Sequence, residues 1–520
     1  MSKFFFFLLQ FSIGLVSVSA QPTIQWQITL GGTLNDNALA IQQTIDGGYI
    51  TAGYTASDDG DVELFYGYFD FWVIKFDSLG AVLWKKNYGG SSVDAANAIQ
   101  QTADGGYVLA GFTQSNDIDV DGNHGDKDAW VLKLDSIGNV QWQKCLGGSF
   151  WEEASDIQLS TDGGYILVGR ASSIDGDVIG NQGSFDYWVV KLNSFAEIEW
   201  QKSLGGSDFD QGYTISQTSD GGYVLGGESQ STDGNITGNH NSLDAWVVKL
   251  NFEGKIEWQR SLGGSGIDRA NDIHQTREGG YIVFGQTSSN EGDVTGNHSD
   301  GYDLWIVKLN NVGEIEWQKA LGGSNEDYGQ SIEQTSDGGF IALGFVNSNN
   351  GDVTGNHGST DIWVVKLTED GELQWQKAFG GTLAERGFSI RQTTDNGFIV
   401  AGDAWSNNGD VSGVLGKNDF WIIKLSPESS PTSSPQTQTL QIYPNPATTT
   451  ISLSVQNSLE AEETHTLSIQ ITDHLGQVLS HQTISVDQSI DVSALPNSLY
   501  LLSAITPDGV VFSGKFCKQD

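Results

Sequence analysis

Apolar and polar positions alternate along most of this chain in short runs parted by glycine-bearing turns, and the runs recur in sets of four. Alternation with a period of two predicts β-strands and gives no support to helices. In the second set the sequence predicts strand A at residues 95–102, strand B at 106–112, strand C at 129–134 and strand D at 140–146. Asp104-Gly105 marks the A/B turn and Gly138 the C/D turn, because glycine supplies the positive φ that tight turns require.

The sets repeat at a fixed interval. An acid-Gly-Gly-aromatic turn begins at Asp46, Asp104, Asp162, Asp220, Glu278, Asp337 and Asp395, a step of 58 residues broken once by 59, with Asn396 in place of the first glycine in the last copy. One tryptophan series runs Trp72, Trp130, Trp188, Trp246, Trp305, Trp363, Trp421, and a second runs Trp26, Trp84, Trp142, Trp200, Trp258, Trp317, Trp375. Four strands per unit at this period predict the blade of a β-propeller. The first run, 23–30, is a D strand with no A, B or C before it, and the last, 420–425, is a C strand with no D after it. The predicted fold is therefore all-β: a seven-bladed β-propeller closed by its N- and C-terminal strands, followed by a small β-sandwich domain. Both tryptophan series, and the isoleucines from Ile41 to Ile390 that recur with them, are expected to form the core between blades and not a ligand platform.

Composition and the chain ends divide the sequence further. Residues 1–20 read as a secretory signal peptide, with Lys3, an apolar run over 4–18 and small residues before a cleavage point ahead of Gln21. That run is too short to span a membrane comfortably, and no transmembrane segment is expected in the mature chain. The propeller occupies 21–425, a Ser/Pro/Thr-rich linker 426–439, and a further domain 440–520. Acidic residues number 65 against 25 Lys plus Arg, a net charge of −40, which disfavours nucleic acid and anionic membranes as partners and favours cations. The two cysteines, Cys145 and Cys517, fall in different domains, so blade packing and not disulfide bonding must hold the fold.

The last domain carries Tyr443-Pro444-Asn445-Pro446-Ala447, Leu475-Gly476-Gln477-Val478, Leu499-Tyr500-Leu501-Leu502 and Lys515-Phe516. It resembles the type A C-terminal sorting domain of proteins exported by the type IX secretion system of Bacteroidota, departing at Ser498, where a glycine is common. The resemblance implies a β-sandwich whose partner is the outer-membrane translocon and its sorting machinery. It also implies a secreted or outer-membrane-surface location, with the domain, and Cys517 in it, removed on release or on coupling to lipopolysaccharide. The propeller repeats are similar to arrays in secreted proteins of the same bacteria, a likeness that brings no activity with it.

In an up-and-down blade the D-to-A and B-to-C connections share one face, so the long loops gather there, and binding residues concentrate on such loops. The second B-to-C loop places Asp117, Asp119, Asp121, Asn123 and Asp128 around Gly122 at the spacing of an EF-hand calcium loop, which makes calcium the cofactor to expect. The other copies keep parts of the pattern. A bidentate Glu and flanking helices are missing, and the alternative is that these side chains cap turns. A further acid follows each Gly-Gly corner: Asp36, Asp94, Glu152, Asp210, Asp268, Asp327 and Glu385. It is expected either to ring the channel mouth or to bond the adjacent backbone.

Departures from the repeat bear more on specific function than its constants. Phe65, Tyr66 and Tyr68 in the first B-to-C loop, with Trp151 and Trp405 outside both tryptophan series, are candidate ligand-binding aromatics able to stack on sugars; the alternative is that they shield neighbouring loops. No nucleophile motif, zinc cluster or phosphate loop appears, and catalytic residues are not identified. The sequence supports a noncatalytic binding or adhesion module for glycan or protein. The alternatives are a polysaccharide hydrolase or lyase using acids near the channel mouth, or a structural spacer. The enzyme would show one deep, asymmetric pocket with two carboxylates and an arginine such as Arg269 or Arg386.

Overall fold

In a computed structural model the described residues are 21–299, 301–428, 438–455, 466–472, 478–485, 489–505 and 511–519; the expected signal peptide and most of the expected linker lie outside them. The chain forms two compact units, Gln21–Glu428 and Ser429–Asp520. No helix among the described residues is long and apolar enough to cross a membrane.

The first unit contains twenty-eight strands, from β1 (Ile24–Leu30) to β28 (Asp419–Leu425), in seven four-stranded antiparallel sheets. Each sheet is one repeat, except that β1 completes the last sheet by pairing with β28, from Ile24↔Leu425 to Leu30↔Phe420. The propeller is thus closed by strands from both of its ends, as the sequence predicts. In the second blade the A and C strands begin one residue earlier than predicted, at Asp94 and Asp128, because Thr113 pairs with both.

The seven innermost strands are β2 (Asp36–Gln43), β6 (Asp94–Gln101), β10 (Glu152–Leu159), β14 (Asp210–Gln217), β18 (Asp268–Gln275), β22 (Asp327–Gln334) and β26 (Glu385–Gln392). Each touches the next, and β26 touches β2, which closes the ring. Every one carries a register shift after its third residue, as between Ala38 and Ala40 or Ala154 and Asp156. Such a bulge bends the strand and re-aims its side chains, so that the fourth and fifth residues both reach the central channel.

The tryptophans and isoleucines are core. The first series is buried, and its indole N–H donates to a strand-D glutamine, Trp130 to Gln143 at 2.8 Å and Trp246 to Gln259 at 2.8 Å. Trp72 has no partner, since Lys85 stands where its glutamine would be. The second series meets an aromatic ring of the next blade edge-on, Trp26 with Tyr49 at 5.6 Å and Trp258 with Tyr281 at 5.4 Å. Glutamines at the ends of the inner strands latch neighbouring blades: Gln101 accepts from Ile45 N at 2.8 Å, and Gln43 from Thr394 N at 2.8 Å across the closure.

Among the described residues the C-terminal unit holds seven strands, β29 (Gln438–Tyr443), β30 (Thr450–Val455), β31 (Thr466–Thr472), β32 (Val478–Ser485), β33 (Ile490–Asp491), β34 (Leu499–Ile505) and β35 (Val511–Cys517). They are ordered β32-β31-β34-β35-β29-β30-β33 around a core that includes Ile451, Ile469, Leu502 and Phe516. Asn445 of the Tyr-Pro-Asn-Pro stretch ties this opening to β35, accepting from Cys517 N at 2.9 Å and donating to Lys515 O at 3.1 Å.

Candidate functional site

The D-to-A corners and B-to-C loops do meet on one face. Asp61 N–H donates to Gly31 O, and Asp94 N–H to Phe69 O, both at 2.8 Å. The loop acids serve this contact. Asp117 Oδ1 accepts from Ser91 N at 2.8 Å and Asp119 Oδ2 from Gly89 N at 3.3 Å, while the Asp121 carbonyl accepts from Gln143. Asn123 bridges Ser115 O and Gly125 N, and Asp128 accepts from His124 N at 3.0 Å with the His124 ring Nδ1 at 2.6 Å. The side chains of Asp117, Asp119, Asn123 and Asp128 are thus each taken by backbone groups of their own. Among the described residues no group of three or more His, Cys, Asp or Glu is drawn together to hold a metal ion.

The acids after the Gly-Gly corners do not ring the channel mouth. Each is buried, and Asp94 shows why: Oδ2 accepts from Gly90 N at 2.7 Å and Ser115 Oγ at 2.9 Å, while Oδ1 accepts from the Thr113 hydroxyl. Facing it from the preceding blade is Asp70, whose Oδ2 accepts from Tyr66 N at 2.8 Å and whose buried Oδ1 has no hydrogen-bond partner. The same orphan oxygen recurs at Asp128, Asp186, Asp244, Asp303, Asp361 and Asp419. Gly89 passes between the two acids; a Cβ there would stand 2.7 Å from Asp94 Oδ2 and 2.8 Å from Asp70 Oδ1, so only glycine fits. Burial, and then the nearby Asp94 charge, push Asp70 up to about 7.

The candidate aromatics occupy separate places. Phe65 packs on a core between blades, Tyr66 is half-buried, and Tyr68 is exposed. Trp151 and Trp405 are exposed on the third and seventh blades, the first with Lys127 Nζ 5.4 Å from its ring centre, the second with the Arg386 guanidinium at 6.0 Å. Arg386 is bound to Asp403 at 2.6 Å and Arg269 to Glu228 at 2.6 Å, so both are committed to ion pairs.

The inner strands enclose a cavity of about 470 Å³ lined by residues of all seven, from the fourth position of each strand toward its A/B turn. Here the sevenfold pattern breaks. The fifth position reads Ala40, Ala98, Asp156, Thr214, Asp272, Ser331, Ser389, and the seventh reads Gln42, Gln100, Gln158, Ser216, His274, Glu333, Arg391. Blades one, two and four are thus uncharged at these levels, and the ionisable groups lie on blades three, five, six and seven. Asp272 Oδ2 accepts from Ile332 N at 2.9 Å, and its Oδ1 lies 3.0 Å from His274 Nε2 and 3.4 Å from the donating Thr214 hydroxyl. Asp156 accepts from Ile215 N at 3.0 Å and from Gln158. Glu333 accepts from Gln392 N at 2.6 Å, and Arg391 Nη1 donates to Ser331 Oγ at 3.0 Å.

Electrostatics separates the two aspartates. Burial raises Asp156, and the Asp272 charge adds to it. Burial also acts upward on Asp272, but His274, Arg391 and the Ile332 N–H outweigh it and hold that carboxyl at about 2. His274 is raised in turn, the Asp272 charge overcoming its desolvation. Sequence reasoning missed this cluster. Its signal was present in the fifth and seventh columns of the aligned inner strands, where charge appears in some blades and is missing from others.

Fold and tail together define an exported β-propeller protein. Residues 441–518 match the family model described as the secretion system C-terminal sorting domain. The C-terminal unit is a type IX sorting domain, and the protein is exported to the cell surface or the exterior. The chain is similar to the regulatory protein FlaEY of Caulobacter vibrioides, 23% identical over 361 residues that cover 61% of this chain and 36% of that protein. It therefore spans little more than a third of that relative's length. Among solved structures, a puromycin hydrolase matches at 10% identity over 95% of this chain and 63% of that one, with a TM-score of 0.42. An ACO/RPE65 chimera matches at 11% over 71% and 96%, with a TM-score of 0.33. At these scores neither likeness carries an argument about activity.

Proposed function

We propose that this exported propeller is a noncatalytic binding module whose site is the central channel, and that its ligand is a saccharide. The observation that carries this reading is the uneven placing of ionisable groups at these two levels around the channel, present on blades three, five, six and seven and missing from one, two and four. A purely structural channel has no reason to depart from its repeat, whereas a ligand without sevenfold symmetry demands it. The lining suits sugar hydroxyls: amides at Asn97, Gln158 and Asn271, hydroxyls at Ser155, Thr214 and Ser331, and the rings of Tyr213 and Phe388. The test is a glycan array with the exported chain, followed by calorimetry with Asp272→Asn. Loss of a carboxylate acceptor should weaken binding by about tenfold or more. An empty array, or an Asp272→Asn variant that binds as well as wild type, overturns the proposal.

A second reading, a polysaccharide hydrolase, draws support from the two aspartates, whose opposed shifts are the division expected of a general acid and an ionised partner. Release of reducing ends from a bound polysaccharide, abolished by Asp156→Asn with binding retained, would establish it. No release from any bound glycan would dismiss it.

A further inference from the structure

We infer that the channel selects an acidic saccharide, one bearing a uronate carboxylate, and that Arg391 is the residue that reads it. The inference rests on the saccharide reading above and adds the chemical class of sugar. Arg391 is the only arginine or lysine among the residues lining the cavity. It is half-buried, in a chain with a net charge of −40, yet among the described residues no ion pair joins it to a carboxylate, and the Asp272 charge reaches it only at longer range. Its contacts are the Ser331 hydroxyl at 3.0 Å and the Ile390 carbonyl at 2.7 Å, both made through Nη1.

The arginines at the other end of the inner and second strands behave differently. Arg269 and Arg386 are each tied to an acid at 2.6 Å, and Arg170 to Glu153 at 3.2 Å. The acid on the adjacent inner strand, Glu333, accepts instead from Gln392 N at 2.6 Å. Nε and Nη2 of Arg391 therefore keep their donors, and these two form the edge of a guanidinium that binds a carboxylate through two parallel hydrogen bonds. A half-buried guanidinium with one edge unpaired is satisfied best by a ligand that brings a carboxylate to that edge. The surrounding amides and hydroxyls match the ring hydroxyls of a sugar. Asp156, pushed up by burial, is the acid on the opposite arc best able to give up its charge beside an anionic ligand.

The experiment is calorimetric titration of the exported chain with oligogalacturonate, hyaluronan fragments and oligomannuronate, each compared with its methyl ester, which keeps the sugar and removes the charge. At least one acid form should bind about 10- to 100-fold more tightly than its ester. Arg391→Gln should abolish that preference and Arg391→Lys should keep part of it, with tryptophan fluorescence confirming that both variants fold. Acid and ester binding alike, or neutral glycans binding while every uronate fails, overturns the inference and leaves the saccharide reading standing. Failure of every sugar on a broad array overturns both. The comparison of acid with ester in the unaltered protein decides the matter even if the variants do not fold.

Discussion

Replacing Lys85 with glutamine should stabilise the propeller. Trp72 is wholly buried and its indole N–H has no partner, while Trp130, Trp188 and Trp305 donate to Gln143, Gln201 and Gln318 at 2.8, 3.0 and 2.9 Å. An unmade hydrogen bond at a buried donor costs about 1–3 kcal/mol. Lys85→Gln supplies the acceptor and removes long contacts to Asp61 at 3.6 Å and to the exposed Glu63 at 3.9 Å, together worth less than about 1 kcal/mol. The net gain is about 1 kcal/mol. The converse change, Gln143→Lys, strips Trp130 of its acceptor and Asp121 O of its 2.9 Å donor, and should destabilise by about 2 kcal/mol. Urea denaturation followed by tryptophan fluorescence measures both, since all sixteen tryptophans lie between residues 26 and 421 and report on the propeller alone. Two neutral substitutions, or a destabilised Lys85→Gln, would refute the reasoning.

Ile118 takes φ of 61° at a position where the other six loops have glycine, as Gly60 does at 65°, so Ile118→Gly should gain about 1–2 kcal/mol in the same assay; a loss would show that the loop tolerates isoleucine without strain. Asp70 is raised from 3.8 to about 7, so its carboxyl is protonated in folded and unfolded chains below about pH 4, and its destabilising contribution builds up as pH rises from about 4 to 7 and is complete above that. The shift corresponds to at most about 4 kcal/mol, part of which an unpaired asparagine amide would offset, so Asp70→Asn should gain about 1–2 kcal/mol at pH 8 and much less at pH 5. A pH-independent difference between the two proteins contradicts this account. With Asp117, Asp119 and Asp128 already taken by backbone amides, EDTA and millimolar calcium should leave the melting temperature within about 1 °C; a saturable rise that Asp119→Ala removes would make the second loop a calcium site.

The ring and its closure are legible in sequence because a fixed period with four alternating runs admits few folds, and because the incomplete first and last repeats complement each other. The burial of the Gly-Gly acids was less accessible. Their recurrence is plain, but the direction of Asp94 depends on Thr113 and Ser115, which return to it from the neighbouring strand. The channel cluster was hidden by a specific device. Alternation assigns neighbouring strand residues to opposite faces, while the bulge after Ala154 turns both Ser155 and Asp156 into the cavity. Attention to long loops also pointed away from inner strands, where the aspartates pass for ordinary edge polarity.

The pairing of β1 with β28 has a mechanical consequence. Ile24 lies opposite Leu425, and Ser426 N–H donates to Thr23 O at 2.8 Å, so the chain enters and leaves the ring side by side. Tension between the two ends would peel this pair open one rung at a time, the weakest way to load an antiparallel ladder. Tension arriving only through residue 426 falls on β28, which is gripped along its length by β27 (Phe398–Ala404) on one flank and β1 on the other. A propeller held by its tail would bear drag through a strand clamped on both flanks.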